Sequence, residues 1–183
     1  MAYNPAPRIY ASDGKVIKSD EMTGSLITVA MAHHECHEGS AFQAHYADTL
    51  GNGASYELLF VVADTTKWPH MLYDFLAQGA VSIGVYEGPA VTDNGTPVSV
   101  FNRNRNSLTA NGLLLFHTPT TTADGTLIWS ANFGAKGVPT AHRGDDEYIL
   151  KRAEEYLIRV TNATAVNNLV MAMFNWYETT SLA

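Results

Sequence analysis

Short apolar runs separated by turn-forming residues recur along most of this chain. Leu26 to Met31, Ala41 to Tyr46 and Tyr56 to Val62 are the first three, with Gly39, Gly51, Asn52 and Gly53 between them. Met71 to Ala77 is a fourth. In a fifth, Val81, Ile83 and Val85 alternate with Ser82, Gly84 and Tyr86, the period of two that a half-buried strand requires. Asn94-Gly95 is the dipeptide most favoured in a tight turn. Val98 to Phe101, Leu113 to His117 and Thr126 to Ser130 add further strands, with Pro119 and Asp124-Gly125 as breaks. Tyr148 to Leu150 precedes Tyr156 to Thr161, where Tyr156, Ile158 and Val160 face one way and Arg159 and Thr161 the other. A polar stretch, Asn162 to Asn168, then leads into Leu169 to Tyr177, and the two runs predict a hairpin. Only Met71 to Gln78 would also suit a helix. Strands joined by turns predict an all-β chain, a sandwich or a barrel.

The segment from Met1 to Gly24 carries Pro5 and Pro7 and shows neither alternation nor helical period. It reads as an extended N-terminal arm, which cannot build a core of its own and either stays a loose tail or is ordered by lying along something else. The rest, 25–183, is expected to be one β-sandwich domain: a chain of 183 residues, 46% hydrophobic and 16% charged, buries one sizeable core. Lys and Arg total 11 against 18 Asp and Glu, a net charge of -7, so the basic surface that nucleic-acid binders need is missing and direct nucleic-acid binding is not expected. Cys36 stands alone and cannot form an intramolecular disulfide. No apolar run approaches the roughly 20 residues of a membrane span, and Met1 to Ser25 holds no apolar stretch like that of a signal peptide. No membrane partner and a cytosol-like compartment of synthesis are expected.

The densest group of ligand-type side chains is His33, His34, Glu35, Cys36, His37 and Glu38. Its spacing is not that of the zinc-protease helix, which places two His four apart with Glu directly after the first. Read as the end of a strand, it puts His33, Glu35 and His37 on one face and His34, Cys36 and Glu38 on the other. His33, His37 and Cys36 are therefore the candidate metal ligands, set against a polar strand end with Cys36 partly buried. No nucleophile elbow and no Gly-Lys-Ser/Thr phosphate loop occurs, so no catalytic residue is assigned and no cofactor is expected. Asp145-Asp146-Glu147, preceded by His142 and Arg143, reads as a solvated acidic turn. Asn94-Gly95-Thr96 and Asn162-Ala163-Thr164 match the glycosylation triplet, a pattern that arises often by chance. Asn102, Arg103, Asn104, Arg105 and Asn106 form a different kind of loop, because Arg and Asn side chains can fork-bond carboxylates and carbonyls across an interface. With Pro5, Pro7 and Tyr10 of the arm, they are the candidate partner-binding residues. A solvated loop is the alternative.

Six segments carry a resemblance: Gly24-Ser25-Leu26-Ile27, His34-Glu35-Cys36-His37-Glu38-Gly39, Asp64-Thr65-Thr66-Lys67-Trp68, Val85-Tyr86-Glu87-Gly88, Phe101-Asn102-Arg103-Asn104-Arg105 and Tyr156-Leu157-Ile158-Arg159-Val160-Thr161-Asn162. In this order, over most of residues 24–178, the chain resembles virion structural proteins of tailed bacteriophages. The resemblance implies a capsid decoration, or cement, protein that binds the outer face of the major capsid protein shell. It further implies a jelly-roll-like antiparallel β-sandwich, self-association as a homotrimer, and a place on the capsid surface of a virion assembled in the host cytoplasm. Such a part is not an enzyme. A tail, neck or fibre component of the same virion is one alternative, and a carbohydrate-binding β-sandwich module, using exposed aromatics beside polar residues, is another.

Overall fold

The structure is a computed structural model, and it describes residues 31–134 and 147–180. One helix, α1 (Met31–Glu38), leads into thirteen strands: β1 (Ala41–Leu50), β2 (Ser55–Val62), β3 (Trp68–Ala77), β4 (Val81–Glu87), β5 (Ala90–Asp93), β6 (Thr96–Val98), β7 (Phe101–Asn102), β8 (Leu113–His117), β9 (Thr120–Ala123), β10 (Thr126–Phe133), β11 (Tyr148–Ile149), β12 (Glu155–Asn162) and β13 (Asn168–Thr179). The expected arm, Met1 to Gly24 with Pro5, Pro7 and Tyr10, lies outside the described residues. So do the acidic turn up to Asp146 and the expected strand Leu26 to Met31 except for its last residue, and Met31 opens α1 and is not in a strand.

Two antiparallel sheets face each other. One has five strands in the order β11-β3-β13-β1-β7, and the other six in the order β10-β4-β12-β2-β8-β6. Alternation decides which side chains lie between them: Tyr56, Leu58, Phe60 and Val62 of β2, Val81, Ile83 and Val85 of β4, and Tyr156, Ile158 and Val160 of β12 meet Met71, Tyr73 and Phe75 of β3 and Val170, Ala172, Phe174 and Trp176 of β13. Phe60 and Phe174 touch edge to face across the gap, ring centroids 4.8 Å apart. The chain is an all-β sandwich, as the hydrophobic pattern predicts.

The chain changes sheet at nearly every long strand. β1 and β3 lie in the five-stranded sheet while β2 and β4 lie in the other, and β10, β11, β12 and β13 alternate in the same way. The expected hairpin of Tyr156 to Thr161 with Leu169 to Tyr177 is therefore corrected: β12 pairs with β2 and β4, whereas β13 pairs with β1 and β3. Both runs bury an apolar face, and period two says nothing about which sheet holds each. Val98 to Phe101 is likewise not one strand, since β6 joins β8 and β7 joins β1 across the sandwich. Met71 to Gln78, which would also have suited a helix, is strand β3 through Ala77.

A third, two-stranded layer, β5 with β9, does not follow from the hydrophobic pattern. It is pinned to the outer face of the six-stranded sheet, where Thr121 donates to Glu57 at 3.3 Å and Arg159 forks onto Asp124 with two bonds of 2.6 Å. Arg159 also donates from Nε to Glu57 at 2.7 Å, so one guanidinium ties β12 to β2 and to the turn after β9. Hydrogen bonding to Arg159 holds the Asp124 carboxyl below its usual range. Leu59 and Leu157, which point outward from this sheet by alternation, are 0% exposed.

Candidate docking surface

The His-rich segment is helical, which corrects the strand-end expectation. Its termination explains why. Gly39 takes φ +76°, its N–H bonds to the Cys36 carbonyl at 3.3 Å, and Ser40 N–H bonds to the Glu35 carbonyl at 3.0 Å. These are the two bonds of a Schellman C-cap, with glycine at the left-handed position. On a helix, residues four apart share a face, so His33 and His37 come together, Nε2 to Nε2 at 3.0 Å, with one imidazole donating to the other. Glu35 leaves their company. It is buried and accepts from Ser40 Oγ, while Cys36 is half-buried. The trio of His33, Glu35 and His37 thus dissolves, and among the described residues no group of three or more His, Cys, Asp or Glu is placed to hold a metal ion.

The helix and the Asn/Arg loop, far apart in sequence, are neighbours. Asn102 donates from Nδ2 to the Gly39 carbonyl at 2.7 Å, and Asn104 donates from Nδ2 to the His37 carbonyl at 3.0 Å. The same two side chains shape the loop. Asn102 Oδ1 accepts from Asn104 N–H at 2.9 Å, and Asn104 Oδ1 accepts from Asn106 N–H at 3.1 Å. Asn side chains mimic a backbone turn in this way. A Cβ on Gly39 would collide with the Ser107 side chain, so a larger residue there would disturb helix cap and loop together.

The five loop candidates consequently divide into two groups. Asn102 and Asn104 are braces that satisfy backbone groups. Arg103, Arg105 and Asn106 are exposed, and the Arg105 guanidinium lies 5.5 Å from the centroid of the exposed Phe101 ring. What the surface offers is a cationic pair beside an aromatic ring on a loop whose backbone is already fixed. Fixing it in advance lowers the ordering cost of docking.

Behind this surface an open depression of about 260 Å³ is lined by Glu35, Glu38, Ser40, Lys67, Thr109 and Glu178. Sequence reasoning passed over Glu178, because a carboxylate near the end of an apolar strand looks like solvated punctuation. It is buried, and accepts from Gly112 N–H at 2.8 and 2.9 Å and from Trp176 Nε1 at 3.1 Å. Burial pushes its carboxyl above the ordinary 4.5, while the bonds from Trp176 and Gly112 pull the other way. A raised folded-state value means that the folded chain holds the proton more tightly, so this group's contribution to stability is complete below pH 4.5 and is lost as pH rises through the raised value. Glu178→Gln removes that dependence. Urea unfolding of both proteins at pH 4.5 and pH 7 is expected to show the difference between them moving in the variant's favour at the higher pH; a constant difference would contradict this.

At the same end of the sandwich, Trp68, next in the chain to Lys67, lines an open depression of about 410 Å³ together with Asp64, Ile149, Leu150, Lys151 and Arg152. The other tryptophans are committed elsewhere: Trp176 is in the core and Trp129 packs against it. Asn162, of the second glycosylation triplet, is 1% exposed and fully bonded, so the folded chain offers it to no transferase. No described helix is long and apolar enough to cross a membrane. Compared with protein-family models, curated proteins and solved structures, the chain finds no match in any of the three.

Proposed function

We propose that this chain is a structural protein of a tailed-bacteriophage virion that decorates the outer face of the major capsid protein shell, associating there as a homotrimer, and that its sandwich is a jelly roll. The winding carries this reading. The order β11-β3-β13-β1 faces β10-β4-β12-β2, with β1 to β4 and then β10 to β13 alternating between the sheets and β4 paired with β10, as in two interleaved Greek keys. That architecture also serves lectins, so fold alone does not choose the role. The six resembling segments support the virion, and the preformed Arg103 and Arg105 loop supplies a surface suited to acidic or carbonyl-rich patches of a shell. A rigid part that bridges capsomers stabilises a pressurised shell because its contacts must break before the shell opens.

The loop gives the test. Replacing Arg103 and Arg105 together by Ala is expected to weaken binding to shells stripped of this protein by about 1 to 3 kcal/mol. Thermal unfolding of the free protein should barely move, since both side chains are exposed. Co-sedimentation with stripped shells reads the first quantity and calorimetry the second. Unchanged shell binding would overturn the proposal. The Trp68 depression favours the carbohydrate-binding alternative in one respect, an aromatic wall beside charged groups. Glycan-array binding lost in Trp68→Ala would replace the shell by a sugar.

A further inference from the structure

Antiparallel sheets end in strands whose outer N–H and C=O groups have no partner, and proteins blunt such edges by shortening them or by placing charge or proline there. Three of the four sheet edges of this sandwich are blunted. β7 and β11 are each 2 residues long, and β6 is 3 residues long and contains Pro97. The fourth edge, β10, is not: it runs for 8 residues, Thr-Leu-Ile-Trp-Ser-Ala-Asn-Phe, without a charge or a proline. Among the described residues no strand pairs with its outer side. Leu127 is 52% and Ile128 37% exposed, the values of an open surface.

A bulge between Leu127 and Trp129 twists the start of β10, and beyond it the ladder from Trp129 opposite Val85 to Phe133 opposite Val81 is regular. The usable edge is thus Trp129-Ser130-Ala131-Asn132-Phe133. These residues read alike in both directions: aromatic, polar, small, polar, aromatic. We infer that this edge pairs antiparallel with the same edge of a second copy, about a two-fold axis at Ala131, fusing two six-stranded sheets into one.

The symmetry makes the contact self-complementary. Trp129 of one copy falls opposite Phe133 of the other, Ser130 falls opposite Asn132, and the outer backbone groups satisfy each other. Trp129 and Phe133 face the interior and are only half-buried, so an added strand would close the side of the sandwich they now line. Charge points to the same occupant. Two copies that each carry -7 repel over most of their surfaces, and β10 is a neutral strip along which they can approach. The contact uses neither the Arg103 loop nor any three-fold arrangement, so it stands or falls separately from the shell-binding proposal.

The test uses the intact free protein. Sedimentation velocity across a concentration series is expected to show an even-numbered assembly, twice the 19.9 kDa chain or a pair of trimers. Hydrogen exchange is expected to slow at the outward amides of Trp129 to Phe133 as concentration rises. Ser130→Lys with Asn132→Lys places lysines opposite one another across the axis, and should halve the assembled mass while circular dichroism stays unchanged. A protein that is monomeric or an unpaired trimer at every concentration, with these amides exchanging freely, overturns the inference. So does a folded double-lysine variant of undiminished mass. Should that variant fail to fold, exchange in the unaltered protein decides by itself.

Discussion

Phe174→Ala is expected to destabilise the fold by about 3 to 5 kcal/mol, the range for deleting a fully buried aromatic ring. Phe174 lies on β13, a central strand of its sheet, is 0% exposed, and faces two other rings: Phe60 of the opposite sheet at 4.8 Å and Phe75 of its own sheet at 6.4 Å. Removing the ring deletes its transfer free energy and leaves a void that two sheets cannot close, because each is held at its spacing by the neighbouring core side chains. The penalty belongs to the contact between sheets. Urea unfolding should show a lower midpoint at an unchanged slope, and the melting temperature should fall by roughly 2 to 4 °C per kcal/mol for a domain of this size. A loss under about 1 kcal/mol would mean that the site collapses freely, at odds with a packed interior.

Asn162→Leu is the second large effect, expected at about 2 to 4 kcal/mol despite the gain of an apolar side chain. The Asn162 amide donates to the carbonyls of Leu50 at 3.0 Å, Gly51 at 2.8 Å and Val166 at 2.7 Å, and its oxygen accepts from Thr164 N–H at 2.9 Å and Thr164 Oγ1 at 2.8 Å. Asn168, equally buried, extends the network by accepting from Gly79 N–H at 2.8 Å and donating to the Ala80 carbonyl at 3.2 Å. Three connections at one end of the sandwich therefore meet on two side chains. Leucine would leave buried donors and acceptors without partners, and such groups cost more when orphaned than their bonds contribute when made. Asn162→Asp, which keeps the acceptor and loses the donors, should fall between leucine and the unaltered protein in the same urea measurement. A leucine variant as stable as the unaltered protein would show that water replaces the amide.

The Asn/Arg loop was more legible than its surroundings. Alternating Asn and Arg from Asn102 to Asn106 mark both turn chemistry and a cationic face, and each is a property of residues close in sequence. Sequence could not say which of these side chains are spent on the fold. That depends on carbonyls of α1 and its cap, and the Asn104 to His37 bond spans 67 residues. The helix itself was hidden because Met31 to Glu38, dominated by His and Glu, carries no apolar stripe; Gly39 after them was its one signal, as a C-cap glycine. Glu178 was hidden for the opposite reason, its burial being decided by the distant Gly112.

By itself the sequence determined the all-β class, the strands from Tyr56, Val81, Leu113, Tyr156 and Leu169 onward, and, for Val81 to Tyr86 and Tyr156 to Thr161, which side chains face the interior, because period two is written in adjacent residues. It also determined the sharp turn at Asp124-Gly125, where Gly125 takes φ +86°. Only the tertiary structure decided that β12 and β13 part into different sheets, that β5 and β9 cover an outer face, that the His segment caps off beside the Asn/Arg loop, and that β10 stands at a sheet edge with no strand on its outer side among the described residues. The physical reason is common to all four. A strand's alternation specifies that one face must be buried, but its neighbours are chosen by the whole set of faces competing for cover, and that competition is settled between residues distant in the chain.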